Sequence, residues 1–333
     1  MDSFDFDSEK NIETTKTPSI KSISSGIKDP AGKTIGAGLW IAHENADLCK
    51  WKKSCKKTCK PECTNHFINC IPHNIDTKRQ TDTGEDIIIH GSAIINPRML
   101  ILQRSLLLKI INKTGRIIRA WRARESKMGE NGEKDKYACV RKYLVLFVDK
   151  DNNPLHEIPL QLTAKGCFQF DFDQQLNGGK GESGYVPGFR STMVRSYNES
   201  QRKSSNTMTE SWHAMCVFAP TFSSQLRGKE QQMRACITTG FEKPTRDNWT
   251  TLCIGKRTEP ANTYWQKLPP TWTDSQGAER PLTYPQHVFE LYNETRDNCE
   301  RRGWWRKNEV TGTSQSPPNI QMDEEIGLDQ YET

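Results

Sequence analysis

Long apolar runs are absent from this 333-residue chain. The longest are "LVLFV" and "LLLKII", far short of the roughly 20 residues a membrane span needs. The first residues, "MDSFDFDSEK", have no basic start followed by an apolar stretch, so no export signal is visible. The expectation is a soluble, cytoplasmic protein with no membrane partner. Hydrophobic residues make up only 34% and mean hydropathy is −0.78, low for a globular chain, so part of the sequence is expected to be disordered. No internal repeat is apparent.

Catalytic motifs are also missing. There is no G-x-S-x-G and no H-E-x-x-H. "GIKDPAGKT" imitates a phosphate loop, but five residues separate Gly26 from Gly32 instead of four, and no apolar strand precedes it. "GAG" at 36–38 lacks the third glycine of a dinucleotide fingerprint. His156-Glu157 falls in an expected strand, which would point the two side chains to opposite faces. Asp149, Asp151, Asp171 and Asp173 offer a nuclease-like metal set, although the first two sit in a turn sequence where acids are ordinary. The chain reads as non-enzymatic, with a metal-dependent nuclease as a third option.

Acidic residues are scarce in the middle. Net charge is +6; residues 1–13 hold one lysine against five carboxylates, and residues 310–333 hold five carboxylates with no Lys or Arg, which leaves +15 on 14–309. A basic body attracts polyanions, and acidic ends shield it or dock a protein partner.

What is abundant is concentrated in "CKWKKSCKKTCKPECTNHFINC", residues 49–70, with five of the eleven cysteines and six lysines. An odd cysteine count without an export signal argues for thiols or metal ligands over a disulfide framework. Cys55, Cys59, Cys63 and His66 are spaced closely enough to hold zinc, the one cofactor the sequence allows. The competing reading is an amphipathic helix over 44–60. At 100° per residue Leu48, Trp51, Cys55 and Cys59 share one side, with Lys50, Lys53, Lys56, Lys57 and Lys60 on the other, and Pro61 ends it. Disulfide or redox use of these thiols is a further alternative. No carboxylate lies between Lys50 and Lys60, so the lysine side suits phosphate contacts.

Two further clusters mix cations with rings. "RIIRAWRAR" places Arg119, Arg122 and Arg124 around Trp121, and "RRGWWRK" contains Trp304. Phe168, Phe170 and Phe172 alternate with polar residues, which reads as a strand with three rings on one face. Trp121, Phe168 and Trp304 are the expected stacking residues for single-stranded nucleic acid. Each cluster has a plainer reading, with the ring in the core and the charges on a solvated face.

The expected organisation is a disordered polar arm over 1–33, one α+β or mostly β body over 34–309, and a linker with an acidic tail over 310–333. The body's strands are short and separated by turns, which suits an antiparallel sheet or small barrel with a strand-rich core over 85–241. The two runs flanking "DKDNNP" read as a hairpin. "WHAMCVFAPTF" and "QMRACITTGFE" read as a strand pair, 177–209 as a flexible insertion or two loops around a short element, and about 286–302 as a helix stopped by Gly303.

"IINPRMLIL", "YLVLFVDKDNNPLHEIPLQLTAKGCFQF" and "GLWIAHENADLCKW" resemble an uncharacterised family of cyanobacterial proteins, a domain of unknown function often encoded on plasmids or mobile elements. The likeness covers roughly 34–255, with "PLHEIPLQLTAKG" its most specific part. It implies a role around DNA over a metabolic one, and it carries no established site residues. The cysteine–lysine segment and the acidic tail depart from it. The leading expectation is a non-enzymatic protein that binds single-stranded DNA or RNA. An interaction or assembly subunit is the alternative.

Overall fold

The computed structural model describes residues 17–28, 33–48, 70–72, 75–77, 87–121, 136–156, 158–181, 184–202, 208–227, 233–254, 271–273, 279–281 and 284–304. In chain order the elements are β1 (Ser19–Lys28), β2 (Thr34–Ala42), α1 (His43–Leu48), β3 (Cys70–Pro72), β4 (Ile75–Thr77), β5 (Ile87–Ile89), β6 (Gly91–Ile94), β7 (Met99–Arg104), β8 (Leu108–Ile111), β9 (Ile117–Ala120), β10 (Tyr137–Phe147) and β11 (Leu160–Lys165). Then follow α2 (Gly166–Asn177), β12 (Gly178–Gly181), β13 (Gly184–Pro187), α3 (Phe189–Gln201), α4 (Glu210–Ala214), β14 (Val217–Phe218), β15 (Pro220–Arg227), β16 (Met233–Phe241), β17 (Thr271–Thr273), β18 (Glu279–Pro281) and α5 (Tyr284–Arg301). A short 3-10 turn, Trp249–Leu252, follows β16.

The fold is α+β, as expected. Ten strands form one curled, mainly antiparallel sheet in the order β14-β7-β10-β11-β1-β2-β6-β3, with β8 and β9 extending from β10. It is a half-barrel: β14 and β3 end the path without pairing to each other. The expected hairpin is present, with β10 and β11 antiparallel from Val140↔Lys165 to Val145↔Leu160. The β15–β16 pair is also formed.

The central strands are apolar at successive positions because both faces of the sheet are covered. On β10, Tyr143, Val145 and Phe147 enter one core, with Phe168, Phe172 and Phe189 from the helices. Leu144, Leu146 and Val148 enter a second core, closed by Val288, Cys299 and Trp304 at α5.

Three expectations change. Ser19–Lys28, assigned by composition to a disordered arm, is a strand inside the sheet, antiparallel to β2 and parallel to β11. Its buried residues Ile20, Ile23 and Ile27 lack a two-residue period, and the register shifts after Ile23 and after Ile27 reconcile that spacing with a ladder. The second change concerns the phenylalanine run, which is helical. Gly166 takes φ +56, a conformation side-chain-bearing residues rarely adopt, and so turns strand β11 into α2. Phe168 and Phe172 then lie one helical turn apart and are both buried, while Phe170 is only half-buried. Third, 177–209 contains the β12–β13 hairpin and the thirteen-residue α3, not simply an insertion. Gly178 and Gly188 close that hairpin with backbones so near that a Cβ on Gly188 would lie 2.1 Å from the Gly178 nitrogen.

Of the expected helix over 44–60, only His43–Leu48 falls among the described residues. The rest, with Lys50, Lys53, Cys55, Lys56, Lys57, Cys59, Lys60, Cys63 and His66, lies outside them, as does the tail 310–333.

Candidate nucleic-acid interface

The residues that combine cations and rings meet on strands β8, β9 and β10. β8 and β9 form a tight hairpin whose Gly115, at φ +73, donates its N–H to the Ile111 carbonyl at 2.7 Å. Register places Lys109 opposite Arg119 on one side and opposite Cys139 on the other. Alternation then separates the faces. Leu108, Ile110 and Val140 are buried together, with Ile117 and Ala138 packed against them. Lys109, Arg119, Tyr137 and Cys139 take the opposite, outer face. Trp121 extends the same row two residues past Arg119, held by its N–H donating to the Leu107 carbonyl at 2.7 Å.

On that face Lys109 Nζ stands 4.2 Å from the Tyr137 ring centroid and 5.9 Å from that of Trp121, and Lys136 Nζ stands 5.7 Å from Tyr137. Arg119 donates from Nη1 to the Ala120 carbonyl, which lays its guanidinium along the strand. Trp121, Tyr137, Lys109 and Arg119 are all half-buried, and Lys113 and Arg116 are exposed at the hairpin tip. No Asp or Glu occurs in 105–121 or in 136–148. Lys109 and Lys136 thus lie over ring faces, on strands whose own residues include no carboxylate.

The other expected stacking residues are corrected. Phe168 is 5% exposed, with its ring 5.5 Å from Phe172 and 6.0 Å from Phe222. Trp304 is 1% exposed, and its carbonyl accepts from Leu106 N–H. No base reaches either ring without opening a core. Arg122 and Arg124 lie outside the described residues. Tyr137 was missed by sequence reading. Its signal was present in "KYACVRKY", where Lys136 and Tyr137 repeat the pairing of cation and ring.

A second polar cluster is half-buried where α2 packs on the sheet. Asp173 on α2 accepts from Arg104 at 3.2 Å, Tyr143 at 3.2 Å and Asn177 at 2.6 Å, and its other oxygen is 3.3 Å from Arg141. Burial is the largest influence on Asp173 and would raise its carboxyl. The guanidiniums of Arg141 and Arg104 and the Tyr143 hydroxyl outweigh it, and hold the group below the usual carboxylate range. Burial works equally against the charge on Arg104, but the Asp173 carboxylate, with Tyr143 and Glu210, raises it. Burial, then Asp173, push the Tyr143 phenol well up. Beside it Arg190 grips Glu210 through two contacts, of 2.9 and 2.8 Å. Every arginine here contacts a carboxylate of the same chain, so the cluster reads as an internal clasp among β7, β10 and α2.

The four aspartates do not gather. Asp149 caps its own turn, accepting from the N–H groups of Asp151 at 2.9 Å and Asn153 at 2.8 Å. Asp173 is engaged by the arginines. Among the described residues no group of three or more His, Cys, Asp or Glu side chains is placed to hold a metal. His156 is not in a strand. It is fully buried, its Nε2 accepts from Phe147 N–H at 2.9 Å, and its Nδ1 donates to the Ile158 carbonyl at 2.8 Å. Burial lowers its pKa to about 4, so it is a neutral structural ring.

A family profile described as "Domain of unknown function (DUF5895)" matches residues 74–282. The chain belongs to this family. The matched span includes the whole β8–β10 face and the Asp173 clasp, and it leaves out β1, β2 and α5. A protein printed as "Uncharacterized protein 254L" of Invertebrate iridescent virus 6 is 45% identical over 313 residues, covering 90% of each chain. That relative is viral, which overturns the resemblance to cyanobacterial proteins. No solved structure matches.

Proposed function

We propose that this chain is a non-enzymatic nucleic-acid-binding protein that lays single-stranded DNA or RNA across the outer face of β8, β9 and β10. The observation that carries the reading is the row of Lys109, Arg119, Trp121 and Tyr137 on one sheet face. Its strands carry no carboxylate, within a body of +15 formal charge. Bases stack on Trp121 and Tyr137, and the cations beside the rings hold the phosphates on either side. Stacking tolerates any base, so the binding is expected to be insensitive to sequence.

The test is titration of a labelled oligonucleotide at several salt concentrations. Binding at about 50 mM salt that weakens steeply as salt rises is the expected result, with a log–log slope reporting the number of phosphates neutralised. Charge reversal of Lys109 and Arg119 together lowers that slope by roughly two. Absence of binding to every single- and double-stranded probe at about 50 mM salt overturns the reading.

A further inference from the structure

Cys216 and Cys253 come from segments far apart in sequence and face each other across an antiparallel bridge. The Ile254 N–H donates to the Met215 carbonyl at 3.1 Å, one residue outside each cysteine, so the two cysteines form a non-hydrogen-bonded pair. In such a pair the Cα atoms are about 4.5 Å apart and the side chains lean together, within the separation that a disulfide spans without moving the backbone. The Cys216 thiol donates to the Trp212 carbonyl at 3.4 Å, and burial, then the neighbouring Cys253 thiol, push its pKa well up. Both are reduced in this structure.

Their surroundings favour a defined pairing. Cys216 is 1% exposed, and Cys253 is half-buried. Leu252 lies in the core that contains Phe168 and Phe172, while Ile254 lies in the core closed by Trp304. The bridge therefore stands on the seam between the two cores. Asn152 fixes the Cys253 side by donating to the carbonyls of Thr251 at 2.9 Å and Cys253 at 3.0 Å. Among the other described cysteines on strands, Cys70 pairs with Ile94, Cys139 with Lys109 and Cys236 with Ser224, so none faces a cysteine.

We infer that Cys216 and Cys253 are a redox-modifiable pair, which a small disulfide oxidant converts into an internal disulfide on the side of the seam that faces the Phe168–Phe172 core. The half-buried Cys253 thiol loses its proton to solvent and attacks one sulfur of the oxidant. It forms a mixed disulfide and releases one thiol. Cys216 then gives up its proton and attacks the Cys253 sulfur, and the second oxidant thiol leaves. Two protein thiols and one oxidant disulfide become one protein disulfide and two small thiols, so atoms and electrons balance. The bond closes a loop of some 36 residues, long enough to stabilise the fold through the unfolded chain. This inference is independent of the nucleic-acid reading.

The full-length protein is incubated with glutathione disulfide, its remaining thiols are alkylated, and it is digested without reductant. The expected product is a linked peptide pair joining Cys216 to Cys253, about 2 Da lighter than the two free peptides together, with Tm raised by about 5 °C over the reduced protein. Cys253→Ser removes both signals while melting like the wild type under reducing conditions; Cys216→Ala supplies the same control if the serine disturbs the fold. Full alkylation of both cysteines in the oxidised sample, a glutathione adduct that stops at Cys253, or linkage of either cysteine to a different partner overturns the inference. The wild-type peptide result decides the matter even if both variants misfold.

Discussion

The clasp around Asp173 and the outer face of β8–β10 are built from the same residue types, arginine or lysine beside aromatic rings, and they have opposite fates. In the clasp, two arginines and a tyrosine converge on one carboxylate, and the flanking Phe168 and Phe172 rings are sealed in a core. On the outer face, Lys109 and Lys136 lie over Tyr137 on strands with no carboxylate, and the rings are half-buried. Cations and rings in proximity therefore do not mark an interface by themselves. What distinguishes the two regions is that in the clasp a carboxylate and a covering helix from elsewhere in the chain close over the cations and rings, whereas the rings of the outer face stay half-buried.

Removing that internal partner should have the largest effect. Asp173→Ala leaves the guanidiniums of Arg104 and Arg141 without their carboxylate in a largely closed site, and is expected to cost about 3 kcal/mol in urea unfolding. Phe168→Ala is expected to cost about 3 kcal/mol by opening a cavity against Phe172 and Phe222, with oligonucleotide affinity of the folded fraction unchanged. An affinity loss in that variant would mean the two regions are not separate.

Acid should weaken the interior of the fold. The folded pKa of His156 is depressed to about 4, against about 6.5 in the unfolded chain. The unfolded state therefore takes up a proton first, so the stability this ring contributes is complete above pH 6.5 and is lost as pH falls toward 4. The full difference is about 3 kcal/mol. Burial, then Arg190, depress His213 to about 4 as well, and it titrates in the same direction. Denaturant midpoints recorded between pH 7 and 4 should fall throughout that window.

Trp121→Ala inverts the pattern of Phe168→Ala. Its effect on unfolding should stay within about 1 kcal/mol, while oligonucleotide affinity drops about tenfold, the loss of one stacked base. Equal affinity in wild type and variant would remove Trp121 from the interface.

Much of the fold was legible because its signals are local. Short β-branched runs bounded by Asn96-Pro97, Thr114-Gly115 and Asn153-Pro154 mark where strands end, and Gly303, at φ +69, stops α5 as its position suggests. The phenylalanine run was misread because alternation at 168, 170 and 172 satisfies a two-residue period, while Phe168 and Phe172 alone satisfy a helical one. Gly166 was the residue that chose between them. β1 was missed for the reverse reason: two register shifts break the period of its isoleucines. Of the proposed interface, the sequence cluster offered Arg119 and Trp121 as candidates but not Tyr137, because strand register and not sequence distance brings Tyr137 beside Lys109.

The sequence by itself determined the elements whose cause lies within a few residues, together with the basic character of the body. Only the tertiary structure decided which cations and rings are consumed internally. That outcome depends on residues distant in sequence, Asp173 against Arg104 and Trp304 against the second core, because charge matching and burial are properties of assembled surfaces. The same holds for Cys216 and Cys253, unremarkable in sequence and paired by a bridge between segments far apart in the chain.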